Sequence, residues 1–92
     1  MEHPCLDTNA IINRFKRAEG QIRGIIKMVE DGQTCEDILV QIGSAKAALH
    51  KAGQSILQGH LEHCVFENLR DGNEKEAMKR LSVAIEQFSR IV

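Results

Sequence analysis

Ninety-two residues allow one small domain, residues 1–92, and 42% apolar with 27% charged residues exclude a disordered chain. A formal net charge of −1 means that bulk charge gives no argument for nucleic acid, so any basic surface must come from local clustering. No apolar run approaches the roughly 20 residues that cross a bilayer, the polar start MEHPCLDTN lacks a secretory apolar region, and three Cys are an odd, sparse set for a disulfide scaffold. The expected setting is a reducing cytoplasm with no membrane partner, and Cys used for metal or redox chemistry.

Residues 1–6, with Pro4, read as a flexible N-terminal arm. The first element spans about Asp7 to Glu30: Ile11, Phe15, Ala18, Ile22, Ile25 and Val29 step 4,3,4,3,4, a helical stripe rather than a strand alternation. Asp7 or Thr8 can cap its start and Gly32 can stop it. Gly20 and Gly24 weaken its interior by about 1 kcal/mol each and are read as points of close helix approach.

The second element spans about Cys35 to Leu69. Thr34 and Asp37 resemble a capping box, and Ile38, Ile42, Ala45, Leu49, Ala52 and Ile56 repeat the 4,3,4,3,4 spacing. The seam then runs on through His60 and Cys64. As one helix it is about 50 Å long, more than a small domain's diameter, so part of its apolar face must be covered by another chain. The third element spans about Glu74 to Ile91, with Ala77, Leu81, Ala84, Phe88 and Ile91 on one face and Asn73 and Glu76 as a second capping-box pattern. The fold class is all-α, a three-helix protomer with a long central helix.

Cys35, His60 and Cys64 are the candidate metal ligands. On an α-helix His60 and Cys64 share a face one turn apart. Cys35 lies 25 residues before His60, roughly 37 Å along one helix. If all three ligate, Cys35 must come from a neighbouring chain whose helix runs antiparallel. Two thiolates and one imidazole are a soft donor set that suits Cu(I), and Ni(II) or Zn(II) less exclusively. His3, Cys5 or His63 can supply an extra donor, although His63 points off the seam. Taken singly, a Cys on a helix is most often a small buried hydrophobe. His50, among polar neighbours, reads as a surface residue.

Arg14, Lys16, Arg17, Arg23 and Lys27 cluster on the first element and Lys46 and Lys51 on the second. A solvated helix surface explains such a pattern equally well. No helix-turn-helix, zinc finger or aromatic platform is present. No third acid orients His60 and Cys64 for nucleophilic catalysis, and no phosphate loop or paired-carboxylate site occurs, so an enzyme is not expected.

The stretches Asn13–Ile25, Cys35–Ile42 with Ser44–Leu49, and His60–Val65 together resemble the copper-sensing operon repressor (CsoR/RcnR/FrmR) family over nearly the whole chain. The resemblance implies an antiparallel dimer with a four-helix-bundle core, paired into a homotetramer. It implies a transcriptional repressor that holds operator double-stranded DNA in the apo form and releases it when the effector binds. The Cys35, His60, Cys64 set looks like the Cu(I)-sensing branch, with Cys35 from one protomer and the other two from its partner; an Ni(II) sensor or a persulfide-reactive repressor of the same family are the alternatives. Arg14 and Lys51 match family positions implicated in DNA contact, with Arg17, Lys46 and Gln41 as further candidates. Some copper members carry a Tyr before the first Cys and a Glu in the last helix that support the His; here those places hold Thr34 and, without gaps, Arg80. Glu74 and Glu76 are the nearby carboxylates.

Overall fold

The computed structural model describes residues 6–91. The described residues form helix α1 (Thr8–Glu30), helix α2 (Cys35–Gly59), a π-helical segment (His60–Val65), helix α3 (Phe66–Arg70) and helix α4 (Glu74–Ser89), with no strand among them. Helices α1 and α2 make an antiparallel hairpin. The chain then continues as one helical rod through the π segment and α3, and α4 folds back along its far end. Of the N-terminal arm only Leu6 lies among the described residues.

The caps follow from the sequence with one exception. Asp7 Oδ1 accepts from the Ala10 amide at 3.2 Å and Thr34 Oγ1 accepts from the Asp37 amide at 3.2 Å, each satisfying an orphan donor of a first turn. At the end of α1 the Gln33 amide donates to the Met28 carbonyl at 3.0 Å and the Gly32 amide to that of Val29 at 3.2 Å, the paired bonds of a Schellman turn. That turn requires Gly32 at φ +71°. Gly32→Ala is therefore expected to cost about 1 kcal/mol or more, read as a lower denaturation midpoint. Asn73 makes no side-chain capping bond, which corrects the expected second capping box: its backbone, at φ −93° and ψ 62°, lies outside the extended region a capping residue adopts.

The heptad stripe divides into two halves with different fates. Ile11 and Ala18 of α1 and Ala45 and Ala52 of α2 are buried, with Ile25 and Ile38 half-buried in the same seven-residue series. These close the hairpin. The other half of each stripe, Phe15, Ile22 and Val29 on α1 with Ile42 and Leu49 on α2, stays exposed, Phe15 and Ile22 at 44%. Among the described residues, four of the seven buried apolar ones are alanines and no large side chain is fully buried. Alanine contacts bring helix axes close but remove little apolar area, so the hairpin keeps most of its large apolar side chains in water. The chain measures 58 × 25 × 15 Å, and its least dimension barely exceeds the ~10–12 Å diameter of one helix with side chains. It is a single layer, with no second layer over the open stripe.

The close approaches expected at Gly20 and Gly24 do not occur within the chain: a Cβ on Gly24 would meet nothing within 4 Å, and one on Gly20 only its own helix's Arg23 at 3.8 Å. Both lie off the face that meets α2. The close approach is at Gly53, where a Cβ would stand 3.3 Å from Ile91 Cδ1 and 3.6 Å from Phe88 Cε2. Gly53 thus lets the end of α4 lie directly on α2. One turn earlier His50 stacks on Phe88 with ring centroids 5.4 Å apart at 39°. His50 is half-buried by that contact, a correction to its reading as a surface residue.

Candidate metal centre and basic groove

Cys35 is the first residue of α2, exposed, with a free thiol. His60 and Cys64 lie at the opposite end of the same rod, in the π-helical segment. Among the described residues, no three His, Cys, Asp or Glu side chains gather where one ion could be held. The candidate donors therefore sit at opposite ends of the rod, one thiol at the start of α2 and an imidazole with a second sulfur past its end.

The π segment corrects the expectation of an uninterrupted α-helix from Cys35 to Leu69. The heptad series that buries Ala45 and Ala52, extended as α-helix, would turn residues 59, 63 and 66 inward. Instead Cys64 and Val65 are buried at 8% and 3%, while His63 and Phe66 are exposed. The pattern slips by about one residue, which is what a π turn with i→i+5 bonding inserts. The slip places His60 and Cys64 within one wide turn and turns Cys64 towards the packing against α4. Cys64 is disulfide-bonded, so it can donate to a metal only after reduction.

His60 is half-buried and lines a largely apolar cavity of about 480 Å³ between α2 and α4, with Ile56, Glu76, Arg80 and Phe88 among its walls and Leu6 at its edge. Arg80 Nε lies 3.6 Å from Glu76 Oε1, in an ion pair about half exposed on both sides. Of the two carboxylates weighed from sequence, Glu76 shares the His60 cavity. Glu74 faces a separate surface hollow by Gly72 and Lys75. Thr34, in the place of a Tyr in some relatives, spends its hydroxyl on the α2 cap. His3 and Cys5 lie outside the described residues, and His63 faces solvent.

The donor chemistry fits a soft metal: two sulfurs and an imidazole with no hard oxygen ligand set. It fits only when two chains contribute, because the start and end of α2 are about 37 Å apart.

A basic groove lies further along the hairpin. Arg14 and Arg17 of α1 and Lys51 of α2 line one hollow of about 260 Å³ together with Gln21 and Ser44, over an alanine floor. No acidic side chain lines it. Among the described residues none of these three cations is in an ion pair, unlike Arg23, which lies 3.3 Å from Glu19. Lys46 lines the adjoining hollow with Lys51 and His50. Gln41 is exposed and lines neither hollow; it lies one turn before Ser44 in the series Gln41–Ser44–Ala48–Lys51, on the same face of α2 and about 15 Å from Lys51 along it. Sequence reasoning missed Gln21 and Ser44. The signal was present as two matching series, Arg14–Ala18–Gln21 and Ser44–Ala48–Lys51, each stepping 4,3 on facing helices.

Among the described residues no helix is long and apolar enough to cross a membrane. The family model for metal-sensitive transcriptional repressors matches residues 7–90. The chain is 38% identical over 84 residues to the copper-sensing transcriptional repressor CsoR of Bacillus subtilis, covering 91% of this chain and 83% of that protein. Its fold is similar to the Cu(I)-bound copper-sensing repressor CsoR of Geobacillus thermodenitrificans, with a TM-score of 0.80 and 44% identity over 88% of this chain and 84% of that one. It is also similar to the nickel-responsive transcriptional regulator InrS, with a TM-score of 0.85 and 28% identity over 96% and 99% of the two chains. An all-helical hairpin matched over nearly its whole length places this chain in the metal-sensitive transcriptional repressor family.

Proposed function

We propose that this chain is a Cu(I)-responsive repressor that holds operator DNA in the apo form and lets it go when the metal binds between protomers. Cys35 of one protomer with His60 and reduced Cys64 of its partner would hold the ion. The separation of the half-sites along one α2 carries the reading: neither end is a site alone, and an antiparallel second copy brings opposite ends together. Bound there, Cu(I) would supply a link between the start of one α2 and the π segment of the other.

The open stripe supports the second copy. The chain exposes 7,001 Å², against about 5,400 Å² for a compact chain of this size. The excess of roughly 1,600 Å² is about twice what one partner contributes to a standard interface and falls in the range of obligate dimers. Phe15, Ile22, Ile42 and Leu49 would pack against the same residues of the partner as a four-helix core. Two such dimers would pair into a tetramer, for which the exposed Met78, Val83 and Ile85 on α4 offer further apolar surface.

Arg14, Arg17 and Lys51 would neutralise backbone phosphates in the apo state. Lys51 is nine residues before His60, about 14 Å along the same rod. A shift of α2 against its neighbours at the metal end would therefore move one wall of the groove. Metal binding needs only to favour the arrangement with weaker DNA contacts. A coupling of about 1–3 kcal/mol changes DNA affinity by roughly 5–150-fold. Glu76, beside His60 in the cavity, is the carboxylate placed to steady the imidazole.

The likeness to the Ni(II)-responsive regulator favours Ni(II) as the second reading, with His3 as an added donor. A DNA-release titration under reducing, anaerobic conditions with Cu(I), Ni(II), Zn(II) and a persulfide in parallel separates these. The expected result is release by Cu(I) at about one ion per protomer, with little release by the others. Release by Ni(II) or persulfide alone would reject the copper reading while keeping the repressor.

A further inference from the structure

We infer that Gln21 and Ser44 are phosphate-binding residues: neutral donors that complete the Arg14–Arg17–Lys51 groove as a seat for a nucleic-acid backbone phosphate. The inference rests on the DNA-binding reading and names two contacts that reading does not contain.

Three cations converge on one hollow with no acid to balance them. A group that relieves their mutual repulsion must be anionic, and a phosphate oxygen accepts hydrogen bonds without donating any. The remaining polar groups of the hollow are the Gln21 amide and the Ser44 hydroxyl, both able to donate. Ser44 is exposed, and its hydroxyl takes no hydrogen bond within the described chain. Gln21 is half-buried, and its Oε1 is buried without a hydrogen-bond partner.

That oxygen is the independent observation. A buried acceptor with no donor is unfavourable, and such groups are rare enough to need a reason. An apolar residue of the same length at position 21 would remove the penalty and still pack on the alanine floor. A Gln is explained if its other half, the Nε2 donor, is used. With Oε1 turned inward, Nε2 is the atom left to meet an anion in the groove, opposite Ser44 and between the flanking cations. Its wall on α1, Arg14, Arg17 and Gln21, faces Ser44 and Lys51 on α2, so each wall carries one neutral donor beside its cations, two on α1 and one on α2. Such an arrangement suits an oxygen-rich anion held from both sides, as a phosphate in a DNA backbone is.

Neutral and charged contacts differ in one measurable respect. Losing a cation reduces counterion release and flattens the salt dependence of binding, whereas losing a neutral hydrogen bond lowers affinity equally at all salt concentrations. The test is fluorescence anisotropy of the reduced apo protein on a short duplex of arbitrary sequence, titrated across a range of salt. Gln21→Met and Ser44→Ala are expected to weaken binding about five- to tenfold each, with lines parallel to wild type in a plot of log affinity against log salt. Lys51→Met is expected to flatten the slope by about one for each phosphate it no longer neutralises. Lines for Gln21→Met and Ser44→Ala that coincide with wild type would overturn the inference. So would a Gln21→Met slope that flattens like that of Lys51→Met, since Gln21 would then act only through the cations. Should Gln21→Met fail to fold, the side-chain amide resonance of Gln21 in the wild-type protein decides: it shifts on adding duplex, or the inference fails. A wild-type protein without salt-dependent DNA binding would reject the DNA reading itself, an outcome distinct from a steep wild-type slope with indifferent Gln21.

Discussion

Cys35→Ala is expected to weaken Cu(I) binding by roughly a thousandfold while leaving apo DNA affinity within about a factor of two. Structural Zn(II) sites of four donors hold their ion with about 10–16 kcal/mol, and on that scale one thiolate carries up to about 4 kcal/mol. Cys35 is exposed at the first position of α2, and the cap beneath it is made by Thr34 rather than by the thiol. Alanine is also the best helix former. The fold and the basic groove should therefore survive the change. A mixing experiment then tests whether the site is shared. Cys35→Ala protomers and His60→Ala/Cys64→Ala protomers each lack a complete site as homodimers. In a mixed antiparallel dimer one of the two symmetric sites is whole again. Random re-pairing is then expected to recover about a quarter of the wild-type capacity for tight Cu(I). A shared site predicts that recovery; a site built within one chain predicts none. Tight Cu(I) binding by Cys35→Ala alone would remove Cys35 from the centre.

Most of the fold was written in period and caps. The 4,3 spacing of Ile11, Phe15 and Ala18 set helix α1, and Thr34 and Gly32 marked where helices begin and end. The spacing could not say which half of the stripe meets α2 and which half stays open, because both halves are apolar in the same rhythm. That distinction appears only when Ala18, Ala45 and Ala52 are seen buried while Phe15, Ile22 and Ile42 are not. The π segment was legible in principle. From Ile56 the seam steps four to His60 and four again to Cys64, where an α-helical seam would step to residues 59 and 63. The doubled four is the signature of an inserted residue, and an α-helical reading passes over it. Asn73 shows the opposite error: a pattern of the right letters at the right spacing, whose backbone takes a conformation that does not aim the side chain at the helix. The basic groove was half legible. Arg14, Arg17 and Lys51 were found by charge, but Gln21 and Ser44 carry none, and only their places on facing helices join them to the cations.

Ile22→Glu is expected to dismantle the assembly, and with it both metal and DNA binding. Ile22 stands at the middle of the open stripe on α1, 44% exposed in the single chain, and Leu49 holds the corresponding place on α2 at 41%. In a four-helix core each becomes a buried contact. Losing such a side chain removes about 1.5–3 kcal/mol of apolar burial, and a carboxylate in its place adds the cost of desolvating a charge with no partner. Symmetry applies the penalty twice per dimer. The sum approaches the whole stability of an ordinary domain, about 5–15 kcal/mol, and among the described residues no large side chain is fully buried to hold the hairpin by itself. Sedimentation should therefore show monomers, and circular dichroism should show reduced helicity in the same samples; Leu49→Glu should behave alike. Glu19→Ala, two-thirds exposed and paired only with Arg23, is the control, and its surface ion pair is worth at most about 1 kcal/mol. An Ile22→Glu protein that keeps the wild-type oligomer and full helicity would mean that the open stripe faces solvent in the working molecule. The proposed metal ligands would then lack the interface that brings the start of one α2 to the end of another.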